Sequence, residues 1–329
     1  MKIPTTKKPY VIFLSGPTGS GKTALSLIIS ERIPVEIINA DVGQFYEPLS
    51  VGTAKPDWKN QKIPHHLFDI VSEPVDFNVV KYRELLREKI KEVWSRNKIP
   101  LIVGGSLFYL KSVFFPPQKI EELSKKSDVV HKISEEDLWK KLNEIDPERA
   151  EKIHQNDTYR IKRALEIWFK TGRKPSELKA TFQADFDFLF IFLSPERELL
   201  FDKINKRTVE MIKDGWIDEV KQLPKKLWRP FLDKKGLIGY SEIFSWIEQG
   251  EKEEEFPELV ATIQKETRLY AKRQLTFWNS FRKNLEKECS QTLHICRTIT
   301  MHSIDDCETK KVVSCLEDDL YKKEKGAQK

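Results

Sequence analysis

Residues 10–23, Tyr10-Val11-Ile12-Phe13-Leu14-Ser15-Gly16-Pro17-Thr18-Gly19-Ser20-Gly21-Lys22-Thr23, decide the fold. Tyr10–Leu14 is a short run of β-branched, aromatic and aliphatic residues that ends in glycine, as a buried strand does. From Thr23 to Ile33 the apolar residues Ala24, Leu25, Leu27, Ile28 and Ile29 fall at helical spacing. Between strand and helix, Gly16-Pro17-Thr18-Gly19-Ser20-Gly21-Lys22-Thr23 matches GxxxxGK[ST] at every fixed position. The chemistry of that turn is specific. Its glycines let backbone N–H groups converge on phosphate oxygens, and the helix behind presents its positive end. Lys22 adds a point charge to the terminal phosphate, and the Thr23 hydroxyl is a candidate Mg²⁺ ligand.

Working outward, Val35–Ile38 predicts a second strand that runs to Asp41. Val79 to Trp94 predicts an amphipathic helix, and Pro100–Val103 a third strand closed by Gly104-Gly105. Strand, helix, strand, helix, strand implies a parallel α/β sheet flanked by helices, of the P-loop NTPase-like class. From Pro116-Pro117 to about Ala184 strand signals fade. Glu135–Leu142, Pro147–His154 and Thr158–Thr171 read as helices, the last stopped by Gly172. Phe186–Leu193 then resumes the sheet, followed by helices over Glu196–Lys213, Ile217–Leu223, Tyr240–Glu248 and Pro257–Phe277. The expected organisation is a discontinuous core, residues 1–115 and 186–285, a helical insertion at 116–185, and a weakly patterned tail at 286–329 that is loosely attached.

Bulk composition sets limits. With 329 residues, 39% hydrophobic and 33% charged, the chain has ample core and a heavily charged surface. No stretch approaches the ~18 apolar residues of a membrane span. The basic N-terminus leads into the glycine motif, not into a cleavage site, so the expected location is cytoplasmic. A net charge of +6 permits an anionic partner without demanding one. Cys289, Cys296, Cys307 and Cys315 form no CxxC pair and are expected as free thiols. The expected form is a monomer.

A P-loop identifies a diphosphate or triphosphate, not a reaction. ATPases and GTPases add a strand-end acid that holds Mg²⁺ or positions water. Here the third strand ends in Gly104-Gly105-Ser106, so Asp41 is the one carboxylate presented beside the loop. It could ligate metal, act as a general base, or merely cap a turn. A small-molecule kinase fits these facts equally well. His65-His66 is expected to be structural, because adjacent residues on an extended segment point oppositely.

Further segments break the tie. Asp41-Val42-Gly43-Gln44-Phe45-Tyr46 precedes Val51-Gly52-Thr53-Ala54-Lys55-Pro56, Pro64-His65-His66-Leu67-Phe68-Asp69 and Ile99 to Leu110. Together they resemble the tRNA dimethylallyltransferase (tRNA isopentenyltransferase) family, whose pattern reads DSxQxY, GTAKP, PHHLxD and PxxVGGTxxY. The likeness continues through Asp157 to Glu166, Ile238-Gly239-Tyr240 and Thr267 to Phe277, so it spans about Val11 to Trp278 in the family's order. The resemblance implies that the P-loop holds dimethylallyl diphosphate instead of ATP, with Mg²⁺ assisting and Thr23 its candidate ligand. It implies as acceptor N6 of adenosine 37, next to the anticodon, in tRNAs reading codons that start with U, bound through the anticodon stem-loop. That base would be extruded from its stack, as chemistry on a base requires.

By the same resemblance Asp41 matches the general base. Thr18, Lys22 and Thr23 match residues that hold the diphosphate, and Arg207 the arginine that reaches it from a later helix. Val42, Gly43, Gln44 and Ser106 lie where the family contacts the flipped adenine and its surroundings. In the insertion, Tyr159, Arg160, Ile161, Lys162 and Arg163 open a helix with cations and an aromatic, a set suited to phosphates and unpaired bases. Without the resemblance a solvated helix face is the simpler reading of that set. Val42-Gly43 departs from the family's serine and larger residue, Ser106 replaces threonine, and the segment between Pro117 and Asp146 is short. The alternatives are a P-loop kinase, an adenylate isopentenyltransferase acting on free nucleotide, and an RNA-binding protein without catalysis.

Overall fold

The computed structural model describes residues 9–116, 130, 133–178 and 180–321. The basic N-terminal residues 1–8, most of the short segment after Pro117 and the last residues of the tail lie outside that range. The chain divides into two compact units, Met1–Phe114 with Ala184–Lys329, and Phe115–Gln183.

In the first unit, β1 (Tyr10–Ser15) leads through the glycine loop into α1 (Lys22–Arg32), then β2 (Val35–Asn39) and the short β3 (His65–His66). α2 (Val79–Ser95), capped by the Asn78 side chain on the Val80 and Lys81 amides, returns the chain to β4 (Ile99–Val103) and α3 (Leu107–Phe114). The second unit carries α4 (Glu135–Ile145), α5 (Pro147–Glu151) and α6 (Thr158–Thr171). β5 (Asp187–Leu193) re-enters the sheet. It is followed by α7 (Arg197–Lys213), α8 (Trp216–Gln222), α9 (Lys225–Lys235), α10 (Tyr240–Glu248) and the 34-residue α11 (Phe256–Cys289). β6 (Cys296–Met301) and α12 (Asp306–Tyr321) close the described chain.

All strand pairings are parallel, in the order β3-β2-β4-β1-β5-β6. Alternation of side chains gives the sheet two unlike faces. One is aliphatic: Ile12, Leu14, Ile37, Leu101, Leu189 and Ile191 pack with Leu25 and Ile29 of α1 and Val312, Leu316 and Leu320 of α12. The other is aromatic, with Phe13 stacked on Phe190 at 5.5 Å and Phe192 on Trp278 of α11 at 4.4 Å. Both faces are covered, which is why the strands read as near-continuous apolar runs.

The tail corrects a sequence expectation. Instead of a loosely attached segment, residues beyond 286 supply β6, paired with β5 from Phe188↔Cys296 to Leu193↔Met301, and α12 on the aliphatic face. β6 is half polar because it is an edge strand, so its signal was weak. Arg297 holds Asp319 at 2.8 Å, and Tyr10 donates to the same buried carboxylate at 2.9 Å, tying α12 to β6 and β1.

The second unit has its own core, built on Val130, Leu138, Leu142, Ala150, Ile153, Ile161, Ala164 and Leu165. Asp146 caps α5 through the Arg149 amide and also accepts from the Ser176 amide, while Asp157 caps α6 through Arg160.

Candidate active site

β1 occupies a switch point: the chain leaves it through α1 towards β2 on one side and later places β5 on the other. Such crevices, at the carboxyl ends of parallel strands, are where open α/β sheets bind ligands. The glycine loop sits there. Gly19 and Gly21 have φ of 77° and 94°, which only glycine adopts without strain. A side chain at Gly19 would also press on Ile204 of α7, so the loop and α7 touch directly. Lys22 Nζ donates to the carbonyls of Gly16 and Pro17 at 3.0 and 2.9 Å. Burial pushes the Lys22 ammonium down to about pKa 8; Asp41 opposes that shift and Arg207 adds to it. Thr23, at the start of α1, is exposed.

β4 separates β1 from β2, so its closing Gly104-Gly105 lies between the glycine loop and Asp41. Both glycines allow close approach: a side chain at Gly104 would strike the Ala40 backbone, and one at Gly105 would meet the Gln274 amide nitrogen at 2.6 Å. Asp41 is oriented from two directions. Its amide donates to Asn39 Oδ1 at 2.9 Å, and its Oδ2 accepts from the Gly105 amide at 3.4 Å. Ser106 Oγ accepts from the Val42 amide at 3.0 Å, joining the two strand ends.

A cavity of about 500 Å³ opens over this arrangement, lined mostly by apolar surface. Thr18, Asp41, Val42, Gly43, Ser106 and Arg207 all face it. Arg207 comes from α7, one turn beyond the Ile204 contact with the loop. Burial lowers its pKa, while Asp41 and Glu210 pull the other way, and it makes no ion pair or hydrogen bond among the described residues. Lys22, Arg207 and Asp41 thus place two cations and one carboxylate within electrostatic reach, a net positive surround suited to a diphosphate.

The structure treats the remaining expected residues differently. Gln44 does not line the cavity; its amide nitrogen donates to the carbonyls of Thr53 and Ala54 at 3.1 and 3.3 Å and holds that loop in place. In the second unit Tyr159 is 79% exposed, and Arg160 and Arg163 are exposed beside Asp157 and Glu166. Lys162 is half-buried. Ile161 is a correction: it is wholly buried in that unit's core, because it lies on the opposite face of α6 from Tyr159 and Arg163. It anchors the helix and offers no surface to RNA. His65 and His66 are structural: His65 Nδ1 lies 2.7 Å from the Ile63 carbonyl, and His66 Nε2 lies 2.7 Å from buried Glu36, which Arg96 also grips.

Two residues escaped the sequence reasoning. Gln274 of α11 accepts from the Thr18 amide at 3.0 Å and donates to the Gly105 carbonyl at 2.9 Å, so one buried carboxamide couples the glycine loop to the β4 turn. Glu219 of α8 accepts from the amides of Ser50, Val51 and Gly52 at 2.7, 2.6 and 3.2 Å, and from the Tyr240 hydroxyl at 2.7 Å. It pins the loop whose Gly52, Thr53 and Ala54 wall the cavity. Gln274 lay within a segment of the resemblance but carried no role there; Glu219 gave no signal.

The chain matches the family model for IPP transferase over residues 44–283. It is 39% identical over 280 residues to the tRNA dimethylallyltransferase of Finegoldia magna, covering 81% of this chain and 87% of that relative. With the enzyme of the same description from Rickettsia canadensis it shares 35% identity over 308 residues, covering 88% and 93%. The crystal structure of tRNA isopentenylpyrophosphate transferase from Bacillus halodurans superposes with a TM-score of 0.63 at 28% identity, covering 97% of this chain and 99% of that one. A eukaryotic dimethylallyltransferase acting on tRNA gives 0.77 at 25% identity, covering 95% and 80%. With its glycine loop, Asp41 and Arg207 converging on one cavity, and with a family match over most of its length, this chain belongs to the IPP transferase family of prenyl-transferring enzymes.

Proposed function

We propose that the protein transfers a dimethylallyl group from dimethylallyl diphosphate to N6 of adenosine 37, beside the anticodon, in tRNAs that read codons starting with U. The observation that carries this reading is the convergence of Asp41, Thr18 and Arg207 on one cavity beside a phosphate-binding loop, in a chain whose relatives are described as tRNA dimethylallyltransferases.

The chemistry follows from the side chains. N6 attacks the allylic carbon, the N–C bond forms, and the carbon–oxygen bond to diphosphate breaks. The N6 proton passes to the Asp41 carboxylate, which the Gly105 amide orients. A neutral aryl amine is a poor nucleophile, so a base within hydrogen-bond reach is required. Diphosphate leaves with its charge met by Lys22, Arg207, Thr18 and the loop amides. The apolar wall, including Met211, Trp216 and Leu237, suits the hydrocarbon and excludes water from the allylic carbon.

Mg²⁺ fits this site: Thr23 presents a hydroxyl at the start of α1, and Mg²⁺ is commonly held by one or two protein oxygens, phosphate and water. Among the described residues no group of three or more His, Cys, Asp or Glu side chains gathers to hold a metal. When bound, the ion adds charge neutralisation at the leaving group. Tyr159, Arg160, Lys162 and Arg163 are the proposed tRNA contacts of the helical unit, and Val42, Gly43 and Ser106 those near the adenine, with Gln44 acting through the loop it holds. A cytoplasmic monomer is the proposed form. No helix among the described residues is long and apolar enough to cross a membrane.

The test is a transfer assay with dimethylallyl diphosphate and two acceptors, an anticodon stem-loop and AMP, and a third arm in which the stem-loop is given ATP in place of the allylic donor. Prenylated adenosine in the stem-loop alone, seen by nucleoside mass spectrometry, supports the reading. Transfer to AMP in preference would mark a free-nucleotide enzyme, and ATP consumption without prenylation a kinase.

A further inference from the structure

α3 begins one residue beyond Ser106, and its outer side carries features that the transfer chemistry leaves unused. Phe108 is 61% exposed, yet its ring belongs to the cavity lining, so it stands at the rim. Single exposed apolar side chains are ordinary on protein surfaces. This one is not isolated. Lys111, one turn further on the same side of α3, sets its Nζ 5.7 Å from the centre of the Phe277 ring. It is half-buried, makes no ion pair or hydrogen bond among the described residues, and burial holds its pKa below the usual lysine value. Phe277 and Arg273, one turn apart on α11, also face the cavity, and Arg273 is exposed. The rim therefore presents an open aromatic side chain on the same cavity wall as Arg273, whose guanidinium lies 5.8 Å from the centre of the Tyr270 ring, with Lys111 behind it against Phe277.

We propose that Phe108, Lys111 and Arg273 form a second nucleotide subsite, in which a base flanking the reactive adenosine stacks on Phe108 while Lys111 and Arg273 hold its phosphate. The inference rests on the proposed RNA acceptor. Extruding an adenine leaves its neighbours without a stacking partner on one side, and an exposed aromatic ring replaces it irrespective of base identity. An isoprenoid chain is a poorer occupant, because the ring is largely open to solvent. Phe108 and Arg273 line the same cavity as Asp41, so the subsite is continuous with the reacting atoms.

The experiment uses the full chain and an anticodon stem-loop with 2-aminopurine on either side of the reactive adenosine. Stacking on Phe108 quenches the probe at one of the two positions. Phe108→Ala should abolish that quenching and raise KM for the stem-loop about ten-fold, with KM for dimethylallyl diphosphate unchanged; Phe108→Trp should restore both. Lys111→Met should lower the salt dependence of stem-loop binding by about one unit of slope. A Phe108→Ala protein that quenches and binds like the wild type overturns the subsite while leaving the transfer reaction intact. A wild type that prenylates no stem-loop removes the function and the subsite together.

Discussion

Lys22 is a buried cation whose hydrogen bonds go to backbone carbonyls and whose pKa is pushed down to about 8. Because the folded-state value lies below the ordinary lysine value of 10.5, the unfolded chain holds the proton more tightly in between. This group therefore makes the protein less stable below about pH 8, and the penalty is relieved as pH rises towards 10.5. Diphosphate binding has the opposite demand, since the anion favours the charged ammonium. KM for the allylic donor should be flat below about pH 8 and rise above it, whereas Lys22→Arg, charged throughout, should remove the rise. A flat wild-type profile to pH 9.5 would exclude Lys22 as the titrating diphosphate ligand. Asp41 is tested differently. Asp41→Ala should abolish transfer while leaving stem-loop affinity nearly intact in a binding titration; a large loss of binding would assign Asp41 to RNA recognition and leave the base unidentified. Both residues were legible because they belong to short contiguous patterns, a glycine loop and a strand end. Gln274 was not, since its role needs Thr18 and Gly105, far away in sequence, to meet one carboxamide.

At the scale of elements, the strands and most helices could be read because burial on both sheet faces leaves apolar runs, and a stop such as Gly172 punctuates the helices. α9 escaped because it is rich in lysine and carries Pro230 inside the helix, although Trp228, Phe231 and Leu232 bury its other side. The loop before Lys55 was legible only as a motif. Its conformation depends on Glu219, which accepts three successive amides and so fills a concave backbone nest with a carboxylate from α8. Glu219→Ala should leave those donors unmatched and cost about 1–3 kcal/mol. Because the loop walls the cavity, the same change should also raise KM for the substrates. Glu219→Gln, which keeps an acceptor oxygen, should recover most of the stability. Thermal melts and steady-state kinetics on both variants check this; equal losses in the two would mean that charge, not the hydrogen bonds, holds the loop.

At the scale of the molecule, the sheet depends on its last strand and helix. Without β6, the strand Asp187–Leu193 would become an edge, and its sequence DFLFIFL is fully buried in the fold. A long apolar edge is a template for pairing with other chains. α12 covers the aliphatic face through Val312, Leu316 and Leu320, none of them more than 3% exposed. The tail also reaches the glycine loop, since a side chain at Gly21 would collide with Ile304. These contacts separate two experiments. Leu316→Ala creates a cavity far from the chemistry and should cost about 2–5 kcal/mol. That loss corresponds to a melting temperature lower by roughly 3–9 °C, with donor KM at 25 °C unchanged. Deleting the chain after Cys289 removes the edge cover, the aliphatic cover and the Ile304 contact together. The truncated protein should aggregate, and any soluble fraction should bind the allylic donor more weakly than the wild type. If it instead stays monomeric with the wild-type melting temperature and donor KM, the tail is an appendage and the sheet ends at β5.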